Sequence, residues 1–188
     1  MIDDPVPERS TYSRVAIWLH WIIALLVIAN VALVFAHEAV EGPFSRTLMN
    51  WHKANGITVL ALTLVRLGWR LAHRPPPYPQ GVAGWERAAS KLVHWSFYVL
   101  LVALPLSGWL WMSAAEVARP ISWFGLFTVP FLPVGRGEDA SDAFHEAHEF
   151  MGLLTIGLVL LHVGAALKHQ FLDRNNLLSR MIPALRVR

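Results

Sequence analysis

Residues 15–35 read VAIWLHWIIALLVIANVALVF, an apolar run in which His20 and Asn30 are the only clearly polar members. A helix rises about 1.5 Å per residue and the bilayer core is about 30 Å thick, so about 20 such residues make one membrane crossing. Two further runs have the same character, Leu92–Trp111 with Pro105 inside it, and Phe150–Leu167, ended by Lys168. Proline is tolerated in a membrane helix where neighbours satisfy the freed carbonyl. A fourth stretch, Trp51–Leu71, is less apolar because Arg66 and Arg70 interrupt its second half. Both side chains can snorkel to the nearer interface, which favours a span over a surface helix. The expectation is an all-α integral membrane four-helix bundle, one membrane domain over residues 1–188, with helices at about 14–36, 51–72, 91–112 and 147–168.

Composition agrees with that reading. Of the 188 residues 55% are hydrophobic and 15% charged, with a mean hydropathy of +0.42. A water-soluble domain carries about a quarter charged residues. The absence of Cys excludes disulfides, zinc–thiolate sites, iron–sulfur clusters and thiol catalysis. The first run is too long for a signal-peptide core of about 7–15 residues, so a retained helix is expected rather than a cleaved leader.

The pI near 9.7 reflects where the charges fall rather than a nucleic-acid surface, and no nucleic-acid partner is expected. Arg9 and Arg14, the stretch Arg66, Arg70, Arg74, Arg87 and Lys91, and the tail Lys168, Arg174, Arg180, Arg186 and Arg188 fall on one side of a four-span chain, twelve of the sixteen basic residues. The other side has Arg46, Lys53, Arg119 and Arg136 beside eight carboxylates. Basic loops stay in the cytoplasm, so both termini are expected there. Residues 74–79, RPPPYP, form a stiff connector that cannot be helical. Trp123-Phe124-Gly125-Leu126 is expected at the membrane interface. Glu138, Asp139, Asp142, His145 and Glu146 read as a solvated loop, with a divalent-metal site as the lesser alternative.

Nine histidines are the unusual feature. Ionisable residues inside a span are costly and point to function. His148 and His162 lie fourteen residues apart on the last span, which returns them to nearly one face about 21 Å apart along the axis. Two imidazoles at that separation in a bundle interior suggest two haems stacked across the membrane. Each needs a second ligand at matching depth. His20 is six residues past Arg14 and His162 six before Lys168, which sets both about 9 Å from one edge. On the opposite side His52 sits beside Lys53, and His148 beside Glu149. The pairs matched by depth are therefore His20 with His162 and His52 with His148. His94, three residues past Lys91, competes with His20 for the inner iron, with His20 the better match in depth. The alternatives for His94 are a bond to a haem propionate or a place in a quinone pocket. Arg66 and Arg70, one turn apart, either pair with inner propionates or snorkel. His37, His73, His145 and His169 fall near the interfaces, where solvated roles are the default.

Tyr12-Ser13-Arg14 followed by Ile17-Trp18-Leu19-His20-Trp21 resembles the opening of the bacterial cytochrome b561 family. His52 with Gly56, Arg66 and Arg70 before the proline-rich linker, His94 ahead of Ala103-Leu104-Pro105, Trp123-Phe124-Gly125-Leu126, and His148-Glu149 with His162 and Lys168-His169 continue the likeness, from Tyr12 to about Pro183. The resemblance implies a multi-pass protein of the bacterial inner membrane with two b-type haems, and by position it assigns His20, His52, His148 and His162 as ligands. It implies an oxidoreductase that takes electrons from superoxide at the outer side and passes them to ubiquinone, with His169 near the quinone. Reduction of quinone consumes protons, which makes His169 a candidate proton donor. The carboxylate-rich outer side departs from that pattern because it repels an anion, while Lys53, Arg46 and Arg136 can form a local positive mouth. Two other readings compete. One is an electron-transfer subunit serving a partner dehydrogenase or hydrogenase, and the other a haem-free membrane transporter or scaffold.

Overall fold

The computed structural model describes residues 11–78, 82–117, 120–175 and 177–182. Pro79, Arg9, Arg119, Arg186 and Arg188 lie outside the described residues. Four long helices carry the fold: α1 (Arg14–Glu38), α2 (Gly42–Ala72), α3 (Gly84–Ala114) and α4 (Glu138–Leu167). A two-stranded hairpin, β1 (Ile121–Trp123) and β2 (Phe127–Val129), sits between α3 and α4. A π-helical turn, Lys168–Leu172, extends α4 and a short 3₁₀ turn at Leu178–Arg180 follows.

The helices overrun the apolar stretches. α2 starts at Gly42 with proline at its entry, α3 at Gly84, and α4 at Glu138 rather than near 147. Apolar runs report only the hydrocarbon-facing part of a helix, and a polar extension beyond it leaves no hydropathy signal. The start of α4 corrects one expectation. Glu138, Asp139, Asp142, His145 and Glu146 are not a loop but the opening turns of a helix. Glu138 and Asp139 occupy its first turn, where the unpaired N–H groups favour negative charge. α1 opens more conventionally, with Ser13 Oγ accepting from Ala16 N at 3.3 Å.

α1 packs on α2, α3 packs on α4, and α2 joins the two hairpins by touching α3. The distribution of apolar groups is the reverse of a water-soluble bundle. Leu25, Leu92, Leu153 and Leu160 are each more than 60% exposed, whereas Ser45, Asn55, Thr63, Ser107, Ser113 and Thr155 are buried. In lipid the outer face needs no burial, and close polar or small contacts hold helix to helix. By length and composition α1, α3 and α4 with its π-helical turn are apolar enough to cross a membrane. α2, with 31 residues, is as long as α3 but carries Lys53, Arg66 and Arg70.

The aromatic stretch near residue 124 is a β-turn. Phe124 and Gly125 have φ of 48° and 79°, and Leu126 N donates to Trp123 O at 2.9 Å. A hairpin turn with two positive φ values matches the right-handed twist of the flanking strands, and glycine takes one of them without strain. Trp123 Nε1 donates to Thr58 Oγ1 on α2 at 3.0 Å, and Trp109 Nε1 on α3 donates to Pro130 O at 2.9 Å. The hairpin is thereby pinned over the end of the bundle where α3 ends and α4 begins. At the opposite end Trp69 Nε1 donates to Ser13 Oγ at 3.2 Å, and Trp21 Nε1 to Met181 O at 3.1 Å.

Candidate functional site

Five half-buried imidazoles from all four helices converge on the bundle interior, His20 from α1, His52 from α2, His94 from α3, and His148 and His162 from α4. His52 lies ten residues into α2 and His148 ten residues into α4, so the two meet at one depth. Their ring centres are 6.1 Å apart with planes at 85°. His20 and His162 lie near the other end, with ring centres 6.2 Å apart at 75°. The structure brings both pairs read from charge landmarks face to face, with His94 nearer still to His162, and His52 and His148 lie well inside their helices rather than at the starts.

The spacing can be tested against a metal. With metal–imidazole bonds of about 2 Å and each ring centre about 1 Å beyond its nitrogen, an ion between two imidazoles leaves ring centres about 6 Å apart. Both cross-helix pairs meet that value. His94 lies closer to His162, at 5.2 Å and 85°, with Phe97 at 5.4 Å. That distance is short for an ion between the two rings.

The hydrogen bonds at the Nδ1 atoms bear on the same question. His52 Nδ1 donates to Asn30 O on α1 at 3.2 Å, and His148 Nδ1 to Leu104 O on α3 at 2.9 Å. Ser107 Oγ also donates to the Leu104 carbonyl, at 2.8 Å. A donor bond at Nδ1 fixes the tautomer that leaves Nε2 as a free lone pair, as a metal-ligating imidazole requires. His94 Nδ1 is likewise held, by Ser90 O on its own helix at 2.6 Å.

Gly108 completes the cradle of His148. A Cβ built there would stand 2.9 Å from Cε1 and 3.0 Å from Nδ1 of that ring. The glycine thus gives His148 its place between α3 and α4. The donor set, its spacing and this space all fit haem iron held by paired histidines.

Around the rings, Trp111 stacks on His145 at 4.1 Å and lies 6.4 Å from His148. Arg66 Nε donates to Tyr98 Oη across to α3 at 3.4 Å, and Arg70 is half-buried one turn further along α2. Lys53 is half-buried beside His52. His169 lies on the π-helical turn, outside the group of five. Its Nδ1 is 2.8 Å from Asp173 Oδ2 and 3.0 Å from Asn175 Nδ2. Lys168 Nζ reaches Asp173 Oδ2 at 2.7 Å and Glu86 Oε1 at 3.4 Å. That hydrogen bond from Lys168 holds the Asp173 carboxyl below its usual 3.8.

Gly108, Asn30, Asn55, Leu104, Glu86, Asp173 and Asn175 have roles here that the sequence does not announce. Each acts through a neighbour on another element, and no local pattern marks such a role. The serine–glycine pair Ser107-Gly108 just after Pro105 was the one available signal, since a glycine inside a helix usually marks a close approach.

The sequence pattern of the family described as prokaryotic cytochrome b561 matches residues 11–184. The chain is 31% identical over 179 residues to cytochrome b561 homolog 2 of Escherichia coli (strain K12), covering 94% of this chain and 92% of that one. It is 27% identical over 179 residues to the probable superoxide oxidase CybB of Yersinia pestis, covering 93% and 97%. To cytochrome b562 of Cereibacter sphaeroides it is 29% identical over 184 residues, covering 93% and 97%.

Proposed function

Because the chain belongs to the prokaryotic cytochrome b561 family of membrane electron-transfer proteins, which bind haem b, we propose that it carries two haem b groups and moves electrons through the bilayer from superoxide to ubiquinone. One group lies between His20 and His162, the other between His52 and His148. The observation that carries this is the pair of cross-helix imidazole couples, 6.2 and 6.1 Å between ring centres. They stand fourteen residues apart on α4, or about 21 Å along its axis. In the overall reaction two superoxide anions each lose one electron and become dioxygen. One quinone takes both electrons with two protons and becomes quinol.

Bound haem supplies reversible one-electron chemistry without a free coordination position. The chain supplies the rest. The Asn30 and Leu104 carbonyls orient His52 and His148, and Gly108 leaves the second ring its space. Arg66 and Arg70 place positive charge beside the inner pair, where haem carboxylates need partners. Lys53 places positive charge beside the outer pair, where an anion arrives. His169 stands at the cytoplasmic end with Asp173 on its Nδ1 and gives a proton to the quinone oxygen as electrons arrive.

All four helices span, with both termini in the cytoplasm and the β-hairpin on the outer face of the bacterial inner membrane. A second reading keeps the chemistry and changes the donor, making the chain an electron-transfer subunit for a partner dehydrogenase or hydrogenase. The acidic opening of α4, Glu138, Asp139, Asp142 and Glu146, favours it, because it repels superoxide and suits a basic protein surface. Membership in a cytochrome family removes the haem-free transporter or scaffold.

A haem count by the pyridine-haemochrome method on purified protein tests the ligand set. Wild type and His94→Ala are expected to hold two haems per chain, and His20→Ala, His52→Ala, His148→Ala and His162→Ala one each. Two haems in His20→Ala with one in His94→Ala would transfer the inner ligand to His94. Rapid haem reduction by superoxide alone, with quinol formed, supports the first donor. Haems that stay oxidised until a partner protein is added support the second.

A further inference from the structure

The bond from His52 to the Asn30 carbonyl is one of three polar links between α1 and α2 at that depth. Asn55, three residues beyond His52, sends Nδ2 to Leu26 O at 2.8 Å and to Asn30 Oδ1 at 3.1 Å. Asn55 is 5% exposed, and its own Oδ1 meets no donor among the described residues. A leucine of similar size would fill the space and remove the unpartnered Oδ1, but it would give up both bonds to α1, so packing alone does not account for an amide. What the amide does is grip one turn of α1. Its two bonds land on Leu26 and Asn30, four residues apart and so on one face of that helix. The backbone carbonyl of the same Asn30 receives His52 Nδ1 at 3.2 Å.

We propose that Asn55 is a positioning residue for the outer redox centre. It locks the turn of α1 that presents the Asn30 carbonyl, and so sets the strength of the hydrogen bond on the far side of the His52 imidazole. This rests on the reading that His52 and His148 hold a haem. An acceptor at Nδ1 makes Nε2 the stronger electron donor, and a stronger donor favours oxidised iron. Loosening the turn therefore makes the outer centre easier to reduce. The inner couple, about 21 Å away along α4, is beyond the reach of the change.

Redox titration followed by absorbance and low-temperature EPR, on haem-loaded Asn55→Leu and Asn55→Ser, is the test. For Asn55→Leu the expected result is a rise in the midpoint potential of the outer centre with altered low-spin g values, and an inner centre at its wild-type potential. Asn55→Ser keeps a hydroxyl donor toward Leu26 O, and its shift is expected to be intermediate. Unchanged g values and potentials in both variants would overturn the proposal, as would equal shifts at both centres, which would mean general loosening of the bundle. If Asn55→Leu fails to assemble, Asn55→Ser decides by the same criteria. Haem counts that stay at two in both His52→Ala and His148→Ala would instead sink the ligand reading, and this inference with it.

Discussion

At the scale of single residues, the site depends on atoms that are absent as much as on those present. Gly108 is the clearest case, because the ring of His148 occupies the space that a Cβ would take, with contacts of 2.9 and 3.0 Å. The first is shorter than Cβ contacts tolerate and the second tighter than nearly all, and the obstacle is a ring held by the Leu104 carbonyl, not a free chain end. Relief requires rotating His148 or spreading α3 from α4, at about 1–3 kcal/mol for an overpacked interior. Gly108→Ala is therefore expected to lose the haem between His52 and His148 while keeping the other. The haem count should fall from two to one, and the EPR signal of one low-spin centre should vanish. Retention of both centres at wild-type stoichiometry would mean the ring moves freely and the cradle is unimportant. Depth is what is legible in the sequence at this scale: distances from Arg14, Lys168, Lys53 and Glu149 pair His20 with His162 and His52 with His148, because helical rise converts residue number into depth, and the structure sets those ring centres 6.2 and 6.1 Å apart. Azimuth was less legible, since which face meets which depends on helix crossings. Asn30, Asn55 and Gly108 act through those crossings, so nothing near them in sequence announced their roles.

At the scale of elements, the tail shows how the end of α4 is secured. After Leu167 the chain widens into a π-helical turn, and Lys168, His169 and Asp173 form a compact ionic group with Glu86 at the start of α3. Asp173 lies below its usual 3.8 because the Lys168 ammonium donates to it. A carboxyl with a depressed folded value stabilises the docked tail at pH above its unfolded value, and that contribution disappears as pH falls through the folded one. The pair is exposed, so the effect is modest and screened by salt. Hydrogen exchange of residues 168–175, measured at about pH 5 and about pH 3, both below the usual histidine range, should show protection falling at the lower pH in wild type. Asp173→Asn should show weaker protection at the higher pH and little further change. Equal pH dependence in the two proteins would assign the effect to another carboxyl. The opening turns of α4 were misread as loop for a related reason. Glu138, Asp139, Asp142, His145 and Glu146 break up any apolar run there, yet a helix N-terminus favours the acidic ones at its start.

For the whole molecule, the crossing of the bilayer by α2 has the largest consequence. Length permits it, since 31 residues extend about 46 Å. Composition argues less strongly, with Lys53, Arg66 and Arg70 within its length. The internal geometry favours crossing. α2 packs along α1, touches α3, and carries His52 to the depth of His148. An antiparallel neighbour that stopped at the surface could not do all three. Four crossings return the C-terminus to the side of the N-terminus, whereas three separate them. The chain contains no Cys, so single cysteines can be introduced without background labelling. In sealed right-side-out membranes, a membrane-impermeant maleimide is expected to label Gly135→Cys, between β2 and α4, and to leave Thr11→Cys, Pro76→Cys and Asn175→Cys unlabelled. Inverted membranes should reverse that pattern, and all four should react once detergent opens the membranes. Labelling of Pro76→Cys and Thr11→Cys from the outside, with Gly135→Cys protected, would invert the bundle and put the His20–His162 couple outermost. Labelling of Thr11→Cys and Asn175→Cys from opposite sides would leave an odd number of crossings. The two imidazole couples would then no longer sit at opposite faces of one membrane-spanning bundle, and a path from outer donor to inner quinone would have no structural basis.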